Sequence, residues 1–129
     1  MENTGILIDA CVLIEHFRSK NKADTLFAKL LRQQYKLSVS AVAKYEVLAG
    51  AHENDMPEWR RVFADIAVLA FDDATIMTAR DVYRQLKRES KLIDTNDILI
   101  AATAIVNDLP LATLNRHHFA RIQDLQLVH

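Results

Sequence analysis

Apolar positions along this chain follow two rhythms. Short apolar runs recur at Gly5–Ile8, Leu37–Val39, Ala67–Phe71 and Leu111–Leu114, and their length and β-branched content read as buried strands. Between them, apolar residues come three and four apart. Val12, Leu13 and Phe17 do so in 10–18, Leu26, Phe27, Leu30 and Leu31 in 21–34, and Val42, Tyr45, Val47 and Leu48 in 41–51. The spacing continues through Trp59, Val62 and Phe63 in 58–66, then through 74–89 and the stretch 93–106. These segments are predicted amphipathic helices. His52–Pro57 reads as a polar turn and 125–128 as a short edge strand. Strands alternate with helices and no hairpin turn joins two strands. The pattern therefore predicts a three-layer α/β/α sandwich on a mostly parallel sheet, one domain over 1–129.

Composition narrows the function classes. At 129 residues, half of them hydrophobic, the chain can bury a core without disulfides. Cys11 is its single cysteine, which excludes an internal disulfide and points to a reducing cytoplasm. With two glycines there is no Gly-rich phosphate loop, so Walker-type and Rossmann sites are excluded. No apolar stretch reaches bilayer length, and the N-terminus lacks a basic region followed by an apolar one; neither a membrane span nor a leader is expected. The formal net charge is −1, so a nucleic-acid partner would need a local basic patch. Arg80, Arg84 and Arg88, with Lys87 and Lys91 beside them, stack cations on one helix face. Such a stripe is either a phosphate contact or a solvated surface.

Three acids stand where the apolar pattern gives no reason for them: Asp9, Glu46 and Asp97. Each has an ordinary role on its own, as helix cap, exposed helical Glu and first-turn acid respectively. As a set they say more. Asp9 and Asn115 each follow a strand, Asp97 opens a helix, and Glu46 lies about two turns into a helix that starts after a strand. In a parallel sheet all four belong to the carboxyl edge, where such folds place ligands. Carboxylates converging there repel one another unless a cation is present, and oxygen-only ligation suits Mg²⁺ or Mn²⁺. Such an ion lowers the pKa of water and polarises a phosphoryl oxygen, which makes hydrolysis of a phosphodiester the expected chemistry. Asp94, three residues before Asp97, is either a cap or a secondary ligand. The adjacent His117 and His118 lack the partners of a zinc site and are expected at the mouth of the crevice.

On these residues the chain resembles the PIN-domain nucleases, and more closely the VapC-type toxins of toxin–antitoxin pairs. The carriers are Ile8-Asp9-Ala10-Cys11-Val12-Leu13-Ile14, Ser40 to Glu46 with Leu48 and Gly50 behind it, Asp97 to Ala104, and Thr113-Leu114-Asn115-Arg116-His117-His118-Phe119. The resemblance implies a Mg²⁺- or Mn²⁺-dependent endoribonuclease with Asp9, Glu46 and Asp97 as its acidic residues and Asn115 hydrogen-bonding at the site. It also implies an RNA substrate, a homodimer and a small antitoxin that blocks the crevice. The helices carrying Tyr45 and Leu48, and Trp59 and Phe63, are candidates for that groove, although core burial is the commoner fate of such side chains. Arg116 and the 80–91 stripe would meet RNA phosphates.

Two departures stand out. Cys11 sits where the family commonly has Ser or Thr, which weakens a hydrogen bond orienting Asp9. Asn115 sits where many members have a fourth acid, which puts a second metal ion in doubt. Other classes fit less well. A response-regulator receiver needs paired acids after the first strand and a late lysine, and no lysine follows Pro110. A haloacid-dehalogenase-like phosphatase needs an Asp where Cys11 stands. A degenerate PIN-like module that binds RNA or protein without cutting stays open.

Overall fold

The computed structural model describes residues 5–128. Its four strands are β1 (Gly5–Ile8), β2 (Lys36–Ser40), β3 (Ala67–Leu69) and β4 (Leu111–Ala112), all parallel in the order β3-β2-β1-β4. Among the described residues the helices are α1 (Ala10–Arg18), α2 (Leu26–Arg32), α3 (Ala41–Ala49), α4 (Met56–Ala64), α5 (Asp73–Arg88), α6 (Thr95–Val106) and α7 (Arg116–Phe119). Ile6, Leu7 and Ile8 on the central β1 are all fully buried. Successive strand residues point to opposite faces, so helices must cover both. This is the predicted α/β/α sandwich. No helix among the described residues is long and apolar enough to cross a membrane.

The small residues of α6 explain its place. Ala101, Ala102 and Ala104 are completely buried, and without bulk on that face α5 packs closely along α6. On β2, Ser38 is buried yet satisfied, its hydroxyl donating to the Ile6 carbonyl at 3.0 Å. Ser40, at the strand's end, accepts from the Ala43 N–H at 2.9 Å and so starts α3. A chain poor in glycine must end its helices otherwise. Gln34, Ser90 and Asp108, which follow α2, α5 and α6, take positive φ of 63°, 55° and 53°. After each, the next N–H reaches back to close the helix, for example Leu109 to the Ala104 carbonyl at 2.9 Å.

Several boundaries differ from the pattern. The segment 21–34 is not one helix. A 3₁₀ turn at Lys22–Asp24 is followed by α2, because the Thr25 side chain caps Ala28 and restarts the backbone. Pro57 sits in the first turn of α4, where its missing N–H is harmless, so that helix opens before Glu58. The strand predicted at 111–114 stops at Ala112. The segment 125–128 forms no named strand, only a parallel bridge of Leu127 to Leu111 flanked by hydrogen bonds from Leu111 and Val128.

Buried Gln85 ties the end of α5 to the segment after α7. Its amide donates to Glu89 at 3.1 Å and to the Arg121 carbonyl at 3.0 Å, and it accepts from the Gln123 N–H at 3.4 Å. Gln85→Leu would strand these backbone groups and cost about 1–3 kcal/mol. A lowered urea midpoint is expected; an unchanged one would mean the clamp contributes nothing.

Candidate active site

Asp9 is the N-cap of α1 and is only 4% exposed. Its carboxylate is fixed by three donors: the Ala10 N–H at 2.8 Å, the Thr113 hydroxyl at 2.8 Å and the Cys11 thiol at 3.3 Å. Thr113, just past β4, therefore joins two neighbouring strand ends. The same hydroxyl accepts the Asn115 N–H at 3.0 Å, which sets Asn115 beside the Asp9 cluster. The Asn115 side chain makes no capping bond to α7.

Asp97 lies in the first turn of α6, half-buried. Burial pushes its carboxyl up to about 6, and the nearby charges of Asp9, Asp94 and Glu46 push in the same direction. Burial is the larger cause, and the acids around Asp97 add to it. Glu46 leans in from α3, and its carboxylate accepts from the Asn96 amide of α6 at 3.2 Å. Asp94 occupies the N-cap position of α6 without bonding the helix through its side chain. Its carboxylate adds to the field at Asp97 instead of capping.

The structure thus brings Asp9, Glu46, Asp94 and Asp97 within electrostatic reach and sets Asn115 next to Asp9. Among the described residues, no three Asp, Glu, His or Cys side chains already close into a metal cage. The donor set is nonetheless oxygen-rich and mutually repulsive, which fits a hard divalent cation that keeps several waters. His117 and His118 face each other at 4.2 Å between ring centroids on α7. Arg116 donates to the Val128 carbonyl, and Arg80, Arg84 and Arg88 are all exposed. Trp59 and Phe63 are buried, with Trp59 stacked on Phe17 at 4.6 Å, whereas Tyr45 is 69% exposed.

Two residues escaped the pattern. Thr113 bonds Asp9 directly; its signal was a polar residue at the end of a buried strand, the same signal that marked Asp9. Asn96 holds Glu46 and left no such trace, being one polar residue among several. Cys11 also needs revision. Thr113 supplies the short bond to Asp9, so the thiol is a supplementary donor. Burial, then the Asp9 charge, raises the Cys11 thiol to about 11 from an ordinary 9.0. At pH 8 its alkylation by iodoacetamide should run about 100-fold slower than that of a free thiol. Alkylation at the rate of a small-molecule thiol would contradict this burial.

The molecule is thus a parallel α/β sandwich with an acidic crevice at the carboxyl edge of its sheet. The chain belongs to the PIN domain family, whose model matches residues 6–125. It is 31% identical to Ribonuclease VapC1 of Methanocaldococcus jannaschii, over 98% of this chain and 87% of that protein. It is 35% identical to Ribonuclease VapC10 of Mycobacterium tuberculosis, over 94% and 90% respectively. The solved structure of VapBC-1 from nontypeable Haemophilus influenzae shares the fold, with a TM-score of 0.84 at 22% identity over 97% of each chain.

Proposed function

We propose that this chain, as one PIN domain over 1–129, is a divalent-metal-dependent endoribonuclease and the toxin of a cytoplasmic toxin–antitoxin pair. Support for the reaction comes from relatives named as ribonucleases that match nearly its whole length. The observation that carries the site is the convergence of acids from separate elements: Glu46 of α3 bonds Asn96 beside Asp97 at 3.2 Å, and Asp9, close enough for its charge to act on Asp97, is fixed by Thr113 at 2.8 Å. Asp9 and Asp97 would hold Mg²⁺ or Mn²⁺, with Glu46 reaching it through water and Asp94 as a secondary ligand. Bound there, the ion supplies polarisation of a phosphoryl oxygen and a lowered pKa for water.

The remaining work falls to the chain's own groups. Thr113 and the Ala10 N–H keep Asp9 in one orientation. Glu46, steadied by Asn96, accepts a proton from the attacking water. The Asn115 amide donates to the phosphate, and Arg116 attracts the RNA backbone. Against a non-cutting reading on the ground of Cys11, the Thr113 hydroxyl orients Asp9 at 2.8 Å, shorter than the 3.3 Å contact of the thiol. A homodimer is favoured by the exposed Ile76, Met77 and Tyr83 of α5. An antitoxin is favoured by a cavity of about 240 Å³ between α1, α3 and α4, lined by Ile14, Phe17, Val47 and Trp59.

The test is cleavage of a mixed structured RNA pool with Mg²⁺, with Mn²⁺ and with chelator, beside Asp97→Asn prepared identically. Cuts that need metal and vanish in the variant are expected. Cuts that persist in chelator, or in the variant, would overturn the assignment.

A further inference from the structure

Thr113 and Leu114 line a second space, a half-open cavity of about 340 Å³ bordered also by α1, the start of α2, Arg116 and Val128. We propose that it is a subsite for one unpaired nucleotide of the RNA, with guanine the preferred base. The inference rests on the ribonuclease reading. Position comes first: Thr113, which lines the cavity, donates its hydroxyl to the Asp9 carboxylate at 2.8 Å. The residue thus belongs both to the Asp9 cluster and to the cavity lining, so a chain cut at Asp9 can place its neighbouring nucleotide there. The volume lies at the small end of ligand pockets and suits a nucleotide rather than a helix. Splayed single-stranded bases are what proteins read in RNA.

The lining chemistry divides by what it can bind. Leu26 and Leu114, the latter 46% exposed, offer apolar surface to the faces of a base. Lys29 and Arg116 bring positive charge for a phosphate, and Arg116 is held by its bond to the Val128 carbonyl. Glu15 and Asp24 bring carboxylates, which only accept. Glu15 is fixed in place because one of its oxygens accepts the Leu26 N–H at 3.0 Å. A carboxylate selects a base edge with adjacent donors. Guanine offers two, N1–H and the N2 amino group. Adenine and cytosine set an acceptor beside their amino group, and uracil flanks its single donor with acceptors.

The experiment is a ¹H–¹⁵N titration of the full chain in chelator with each of the four nucleoside 5′-monophosphates, on wild type, Glu15→Gln and Lys29→Ala. Glu15→Gln can still accept the Leu26 N–H, so it should fold. Expected are shifts at the Leu26, Thr113 and Leu114 amides, with guanosine monophosphate binding about fivefold or more tightly than the others. Glu15→Gln should level that preference, and Lys29→Ala should weaken all four alike. Sequenced cut sites should show guanine enriched at one fixed position, broadened in Glu15→Gln. Equal binding of all four, or an unchanged preference in Glu15→Gln, overturns the subsite. RNA cutting with those amides silent also overturns it, leaves the nuclease intact and hands the cavity to a protein partner. Selective guanosine monophosphate binding without RNA cutting under any metal keeps the subsite and removes the ribonuclease reading.

Discussion

Asp97→Asn should abolish RNA cleavage and, at pH 7 without metal, make the protein more stable. The loss follows from removing a carboxylate from the proposed metal set, and at least about a hundredfold is expected. The gain follows from electrostatics. Desolvation, then the charges of Asp9, Asp94 and Glu46, raise the Asp97 carboxyl from an ordinary 3.8 to about 6. Between these values the folded chain keeps a proton that the unfolded chain has released. Stability therefore falls as pH rises through this window, and the whole penalty is present above it. Asp97 is half-exposed, so solvent screening trims the penalty to about 1 kcal/mol. Removing the charge should raise the melting temperature by about 3–5 °C at pH 7. Below pH 3.8 the carboxyl is protonated in both states, and the advantage should vanish. Melting curves of both proteins in chelator, at pH 7 and pH 3.5, check this. A variant less stable than wild type at pH 7 would mean that neither burial nor like charges strain the carboxylate.

The same local physics explains what could be read from the chain. The parallel sandwich was legible because β1 is apolar without alternation and α6 carries Ala101, Ala102 and Ala104 on its packed face. Asp9 and Asp97 were legible because charge interrupts those patterns at their ends. The break at Thr25 was not, since Leu26, Phe27, Leu30 and Leu31 keep helical spacing whether the helix begins at 21 or at 26. The extent of β4 was hidden too. Thr113 and Leu114 are acceptable strand residues, and only the pull of Thr113 towards Asp9 and Asn115 turns the backbone away. Contacts between residues more than a hundred positions apart, such as Thr113 to Asp9, leave no periodic trace. Neither does the Asn96 amide that holds Glu46.

Asp9→Asn should be equally inactive but move stability the other way. Where Asp97 is strained by burial and by like charges, Asp9 is surrounded by donors: the Ala10 N–H and the Thr113 hydroxyl, each at 2.8 Å, and the Cys11 thiol at 3.3 Å. An amide has one accepting oxygen, so its NH₂ must face a donor in a pocket where water does not compensate. Leaving buried donors unmatched costs about 1–3 kcal/mol, a fall in melting temperature of about 3–15 °C for a chain of this length. Thr113 could rotate to accept from the new amide. One of its two accepting sites is taken by the Asn115 N–H and the other is free, but the rotated O–H then loses its acceptor, so relief is partial. The two variants thus separate two kinds of acid in one crevice, one placed by hydrogen bonds and one held against repulsion. If both lost activity and both lost stability equally, that division would fail and Asp97 would have to be a structural residue. Opposite shifts with a common loss of cutting would fit Asp9 as the fixed anchor of the site and Asp97 as the group whose charge awaits a cation.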